Sequence, residues 1–300
     1  MVRHLAQRVQ SALLHRALQH LEIDPGELGI LIENFQFIGM IRDLSPRVTL
    51  FDYIDDAFGF TRLPGYVREE WVETIRRADR VTATSPTLKR QLEAAGARDV
   101  EVVSNGVEYQ LFAGEKGDRP TDLPAGPIVG YIGSVYPWLD YELIGQVART
   151  IPDAHVVMMG HAHPEVREML RALSEHPNFR FLGSRPYREV ARYLRHFSVA
   201  IIPFLKTPLT AAVNPVKLYE QSAAGIPTVA TDFSQDLHEM SGLIGIGRSH
   251  DEFLALVRAS LRDTGNPDLT ARLQAFASEH DWDKQAGRII ALLEERISQP

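Results

Sequence analysis

Short apolar runs alternate along the chain with segments whose apolar positions recur at helical spacing. In the first half the strand-like runs are Gly29–Ile32, Val48–Asp52, Val81–Thr84 and Val100–Val103, with helices over Gly65–Arg77 and Pro86–Ala95. The second half predicts strands at Ile128–Ile132, His155–Met159, Phe179–Leu182, Val199–Ile202, Thr228–Ala230 and Leu243–Ile246. Helices are expected near Asp140–Thr150, Glu165–Ser174, Tyr187–Arg195, Val216–Ala224 and Asp251–Arg262, and helical sequence runs on from Leu269 to Ile297 with a break near His280. At the amino terminus, Leu5, Val9, Leu13, Ala17 and Leu21 recur every four residues. That spacing predicts an amphipathic helix whose apolar stripe covers one face of a sheet.

Strand–helix alternation with short connections implies right-handed parallel crossovers, hence an α/β protein of doubly wound, Rossmann-like units. The stretch from Phe112 to Pro127 is rich in Gly, Pro and Asp and reads as an interdomain linker. The expected organisation is a partial first domain over 1–111, a linker over 112–127, a second domain over 128–265 and closing helices over 266–300. The second domain has six strands and is complete. The first has four, and opens on a helix where a doubly wound domain usually opens on a strand and a glycine-rich turn.

Composition narrows the chemistry. The chain has 300 residues, a net charge of −7 and no Cys. The acidic balance argues against a nucleic-acid partner held by bulk charge. Without Cys there is no thiol nucleophile and no thiolate metal site. No apolar run is long enough to span a membrane and no signal core opens the chain, so the expected location is cytoplasmic. The opening helix carries Arg3, Arg8 and Arg16 and no acid from Met1 to Leu21. A peripheral membrane contact, or a transit peptide, is the alternative role for it, and a partner subunit is a further expected contact of the chain. No G-x-G-x-x-G, G-x-x-x-x-G-K-[ST] or G-x-S-x-G occurs.

The segment Asn214-Pro-Val-Lys-Leu-Tyr-Glu-Gln-Ser-Ala-Ala-Gly-Ile-Pro-Thr-Val-Ala230 carries the strongest chemical pattern. It reads as a helix capped by Asn214, with Pro215 in its first position, stopped by Gly225 and Pro227 before a buried strand. Lys217 and Glu220 are three apart and share a face. A helix N-terminus with a lysine attracts phosphate, and a carboxylate one turn on can accept both hydroxyls of a ribose. The same pattern also describes a surface Lys–Glu pair on a well-capped helix.

N-P-x-K-x-x-E-x-x-A-x-G-x-P-x-V-A-T resembles the donor-binding segment of GT-B glycosyltransferases of the group 1 family. Further resemblances follow in the family's order: Asp79-Arg-Val-Thr-Ala-Thr-Ser-Pro with Ser104-Asn-Gly-Val107, Gly130-Tyr-Ile-Gly-Ser134, Asn178-Phe-Arg-Phe-Leu-Gly183 with Arg185-Pro-Tyr187, and Asp281-Trp-Asp283. The resemblance implies two Rossmann-like domains, the first truncated at its front, with the last helix crossing back to the first. It implies a hexosyltransferase-like enzyme of polysaccharide or glycoconjugate biosynthesis. The partners would be a nucleotide-diphosphate sugar, as substrate rather than cofactor, and an acceptor of unassigned chemistry held between the domains. No cofactor or metal is implied. By the same resemblance Glu220 binds the ribose and Lys217 the diphosphate. Gly133 and Ser134 form the phosphate turn, the backbone at Ser184 and Arg185 meets the base, and Asn214 caps the helix.

Departures accompany the resemblance. Many members have a second glutamate eight positions before the first, where this chain has Ala212. Two common phosphate cations are replaced by Ser134 and Leu139, leaving Arg185 and Lys206 as substitutes. The alternatives are therefore a degenerate nucleotide-binding subunit without turnover and a nucleotide-sugar epimerase. Outside the donor segment, Asp55 and Asp56 in Asp52-Tyr-Ile-Asp-Asp56 are weak catalytic candidates as a general base at a strand end. His161-Ala-His163 reads as loop polarity, and Trp138 as packing or cleft wall.

Overall fold

The computed structural model describes residues 2–60 and 63–297, and the side chains of 2–8, 40, 42 and 60 lie outside the description. Arg3, His4, Leu5 and Arg8 of the opening helix are among those side chains. Contacts divide the chain into two units, residues 1–104 with 285–300, and residues 105–284.

The first unit runs α1 (Val2–His20), β1 (Gly29–Ile32), α2 (Ile38–Leu44), β2 (Val48–Tyr53), α3 (Ala57–Phe60), α4 (Gly65–Arg77), β3 (Arg80–Ala83), α5 (Pro86–Ala94) and β4 (Glu101–Val102). Its four strands lie in the order β1-β2-β3-β4, all parallel. Val48, Leu50 and Phe51 are wholly buried, and Pro86 follows the Ser85 cap that starts α5. The pattern reading missed α2, which begins after a short turn capped by Asn34. Its seven residues are too few to show a period.

The opening helix forms, but on a different face from the expected one. Val9, Leu13 and Leu21 are 52%, 62% and 63% exposed, while Ser11 and Leu18 are buried and α1 packs against α2. The Ser11 hydroxyl donates to Asp43 Oδ2 at 2.9 Å and fixes that face inward. A repeat of four advances about 40° per step on a helix of 3.6 residues per turn, so five such positions fan around the cylinder and cannot form one seam.

The second unit runs α6 (Tyr109–Phe112), β5 (Ile128–Ile132), α7 (Tyr141–Thr150), β6 (His155–Met159), α8 (Arg167–Leu173), β7 (Phe179–Phe181), α9 (Tyr187–Leu194), β8 (Val199–Ile202), α10 (Pro208–Ala211), α11 (Val216–Ala223), β9 (Thr228–Thr231), β10 (Gly245–Gly247), α12 (His250–Arg262) and α13 (Pro267–Glu279). The final helix, α14 (Trp282–Ile297), starts in this unit. The sheet order is β10-β9-β8-β5-β6-β7, all parallel. This is a doubly wound sheet whose order reverses between β5 and β8. Alternate residues of β5 enter opposite cores: Val129 and Tyr131 one, Ile128 and Ile132 the other.

Two expected boundaries move. Residues 105–111 belong to the second unit, because Val107 bridges to Asp281 and Phe112 is buried in that unit's core. Of the closing helices, α13 packs on α11, and only the chain from Gln285 onward joins the first unit. There Leu292 meets Leu50 and Val103. The 112–127 segment is also no loose linker. Leu123 is buried with Tyr193 and Leu194, and Arg192 Nε donates to the Asp118 carbonyl at 3.1 Å. Its Gly, Pro and Asp shape a strap laid over α9.

Candidate functional site

The carboxyl ends of β5, β6 and β7 are knitted by backbone hydrogen bonds. Gly133 N–H donates to the Met159 carbonyl, and Gly160 N–H donates to the Gly183 carbonyl, each at 3.0 Å. Both glycines are required. Gly133 has φ +145° and Gly160 φ +149°, and a Cβ on Gly160 would stand 1.8 Å from the Gly133 carbonyl oxygen. The chain thus makes a floor of backbone at the strand ends, beside the point where strand order reverses.

A cavity of about 430 Å³ opens on this floor. That volume lies in the range of small-molecule sites. It brings together Gly133, Ser134, Ser184, Arg185, Lys217 and Glu220 of the sequence-selected residues. Gly160, His161 and Tyr187 also line it, and the sequence reading had not selected them as site residues. The signal for Gly160 and His161 was their place directly after a strand.

The helix α11 faces the cavity through Val216, Lys217 and Glu220. Lys217 Nζ stands 4.9 Å from the Phe204 ring centre and 5.8 Å from that of Tyr131. These rings direct the ammonium without neutralising it. Glu220 is only 8% exposed. Burial raises its carboxyl above the ordinary glutamate range, while a hydrogen bond from Tyr187 and the charge of Lys217 partly offset that. The Tyr187 hydroxyl is itself pushed well up, by burial first and then by the Glu220 charge.

Asn214 does not cap α11, and it does not line the cavity. Pro215, with ψ 113°, occupies the cap position and provides no side-chain cap. Asn214 lies one residue outside the helix, where its Oδ1 accepts from Asn105 N–H at 3.3 Å and its carbonyl from Asn105 Nδ2 at 2.7 Å. The two cations considered as phosphate substitutes are paired elsewhere: Arg185 Nη2 with Asp122 at 2.7 Å and Lys206 with Asp232 at 3.3 Å. Ala212 is buried at the end of α10, and Leu139 is buried too.

Asp55 and Asp56 belong to the first unit. Asp55 is exposed. Asp56 works as a local cap: its Oδ1 accepts from Phe58 N–H at 3.0 Å and Gly59 N–H at 3.2 Å, and its Oδ2 from Gln91 at 3.3 Å. The neighbouring Asp52 is raised chiefly by burial, against a hydrogen bond from Thr82. Trp138 stacks on Tyr136 at 4.6 Å, and His163 meets the same tyrosine at 4.9 Å.

Two parallel α/β units, with a ligand-sized cavity at the strand ends of the second, define the GT-B-type glycosyltransferase fold. Solved structures share it: Anabaena HepE in complex with UDP (16% identity, 95% of this chain and 82% of that one, TM-score 0.72) and an E. coli protein described as "Trehalose-6-phosphate" bound with UDP-2-fluoro glucose (14%, 96% and 77%, TM-score 0.73). Residues 126–263 match the model of the family "Glycosyl transferases group 1". It is also 31% identical over 230 residues to the putative teichuronic acid biosynthesis glycosyltransferase TuaH of Bacillus subtilis (strain 168). That match takes in 72% of this chain and spans 57% of the length of that relative. Among the described residues, no helix is long and apolar enough to cross a membrane.

Proposed function

We propose that the chain binds a nucleoside diphosphate sugar in the second unit and transfers a hexosyl group to an acceptor in polysaccharide or glycoconjugate assembly. The observation that carries this is the convergence of Gly133, Lys217 and Glu220 on one cavity. Phosphate fits the glycine floor, the ammonium of Lys217 and the first turn of α11, where helix N–H groups and the dipole favour anions. The ribose fits Glu220. A leaving diphosphate develops charge as the glycosidic bond breaks, and a positioned cation and helix dipole stabilise that charge without reorganising. The resemblance to TuaH supports the polysaccharide setting, and the UDP complex of HepE supports a nucleotide in this fold.

A second reading, binding without turnover, is favoured by Ala212, which puts a buried methyl where many family members have a carboxylate. Calorimetry followed by donor turnover separates the two. With a panel of nucleoside diphosphates and the corresponding nucleosides, Lys217→Ala should weaken the diphosphate about tenfold to a hundredfold and the nucleoside little. Glu220→Ala should weaken both. Unchanged affinities in both folded variants would leave α11 as a packing helix and nothing more. Binding with no release of diphosphate from any sugar donor would select the second reading.

A further inference from the structure

The strap over α9 reaches the cavity through one side chain. Asp122 Oδ2 accepts from Arg185 Nη2 at 2.7 Å, and the Tyr193 hydroxyl donates to the same carboxylate at 2.9 Å and 3.0 Å. Arg185 Nε donates to the Tyr193 hydroxyl at 3.3 Å. The other arm of the guanidinium turns back on its own loop, where Nη1 donates to the Leu182 carbonyl at 2.7 Å and the Ser184 carbonyl at 2.9 Å. Gly183, at φ +67°, gives its carbonyl to Gly160 N–H at 3.0 Å. Three successive carbonyls of the loop therefore each accept an internal hydrogen bond. The backbone N–H groups of Ser184 and Arg185, both cavity-lining residues, find no acceptor among the described residues.

We infer that Asp122 is a positioning residue which, through Arg185, turns the loop from Leu182 to Pro186 into a donor surface and so selects nucleobases that present a keto oxygen, and not an amino group, on the edge that meets the loop. The inference rests on the nucleotide reading of the cavity and assigns a base class to it. A keto edge, as on uracil or guanine, accepts from the two N–H groups. An amino group at that position, as the 4-amino of cytosine or the 6-amino of adenine, presents a donor to donors and leaves groups unsatisfied on both sides, which is where discrimination arises. Arg185 then acts as a clamp on the loop, not as a phosphate cation. The network holds at ordinary pH. Burial would raise Asp122, but hydrogen bonds from Arg185 and Tyr193 outweigh it and keep the carboxyl below its usual range.

The experiment is calorimetry with UDP, CDP and inorganic pyrophosphate on the wild type, Asp122→Ala, Asp122→Asn and Lys217→Ala. Circular dichroism and thermal midpoints establish that each variant is folded. The wild type should bind UDP at least tenfold tighter than CDP. Asp122→Ala should weaken UDP about tenfold, narrow the UDP-to-CDP ratio and leave pyrophosphate within twofold. Asp122→Asn keeps a hydrogen-bonding oxygen and should fall between the two. Lys217→Ala should do the reverse, weakening UDP and pyrophosphate together while keeping the UDP-to-CDP ratio. An equal loss of UDP and pyrophosphate in Asp122→Ala, or an unchanged UDP-to-CDP ratio, overturns the positioning role while the nucleotide site stands. Failure of the wild type to bind any nucleoside diphosphate overturns both the role and the site.

Discussion

The Cε of Lys217 lies 2.9 Å from the point where a Cβ on Gly133 would stand. The two residues are far apart in sequence, and one's lack of a side chain makes room for the other's. Gly133→Ala should therefore displace the ammonium and also strain a backbone at φ +145°. The expected result is a loss of diphosphate affinity comparable to that of Lys217→Ala, about tenfold or more, with nucleoside affinity less affected. Titration of the folded variant with a diphosphate and its nucleoside checks it. Equal losses for the two ligands would count against this coupling.

Glu220 should set a trade between stability and binding. Burial raises its folded pKa above the ordinary glutamate value. A carboxyl raised on folding binds its proton more tightly in the folded state, so stability falls as pH rises from the unfolded value through the folded one. Above that window the full penalty is present, and below it the penalty is gone. Glu220→Gln should raise the thermal midpoint relative to wild type at pH 7 to 8, with the difference closing as pH falls toward 4. The same variant should bind nucleotide more weakly. Wild-type affinity should itself drop as pH falls through the raised value, because the ribose needs the ionised acceptor. Parallel melting and binding titrations across pH test both signs.

The rotated face of α1 gives a direct contrast. Leu18→Ala removes a buried side chain and should cost roughly 2–5 kcal/mol. Leu13→Ser changes an exposed one and should stay within about 0.5 kcal/mol. Denaturant unfolding of the two variants decides between this face and the four-residue stripe. Equal destabilisation would restore the stripe as the buried seam.

Asp56 caps a turn, so Asp56→Ala should lower stability by about 1–2 kcal/mol and leave nucleotide affinity unchanged. Chemical denaturation and calorimetry give the two numbers. A full loss of transfer activity in a variant of near-normal stability would return Asp56 to the catalytic candidates.

The second unit was legible because its strands are buried on both faces. Val156 to Met159 and Val199 to Ile202 are inaccessible or nearly so, and such strands appear as unbroken apolar runs. The pocket's main residues were legible because Lys217 and Glu220 sit three apart on one helix, and Gly133 ends a strand. Other parts depend on partners distant in sequence. Asn214 suits a cap by residue type, yet the backbone at Pro215 takes that position and Asn105 N–H takes the side chain. The 112–127 segment looked like a linker because it is rich in Gly and Pro, and nothing local shows that Asp122 meets Arg185.

Sequence alone thus determined the α/β class, most elements of the second unit and the helix that brings Lys217 and Glu220 to the cavity. These follow from period, burial and capping, all of which act within a few residues. Only the tertiary structure decided which face of α1 is inward, where one unit gives way to the other and what Arg185 holds. Each depends on side chains from separate segments competing for the same partner. An arginine that could meet a phosphate is drawn instead to a carboxylate and to carbonyls already within reach, and a chain pattern carries no record of that competition.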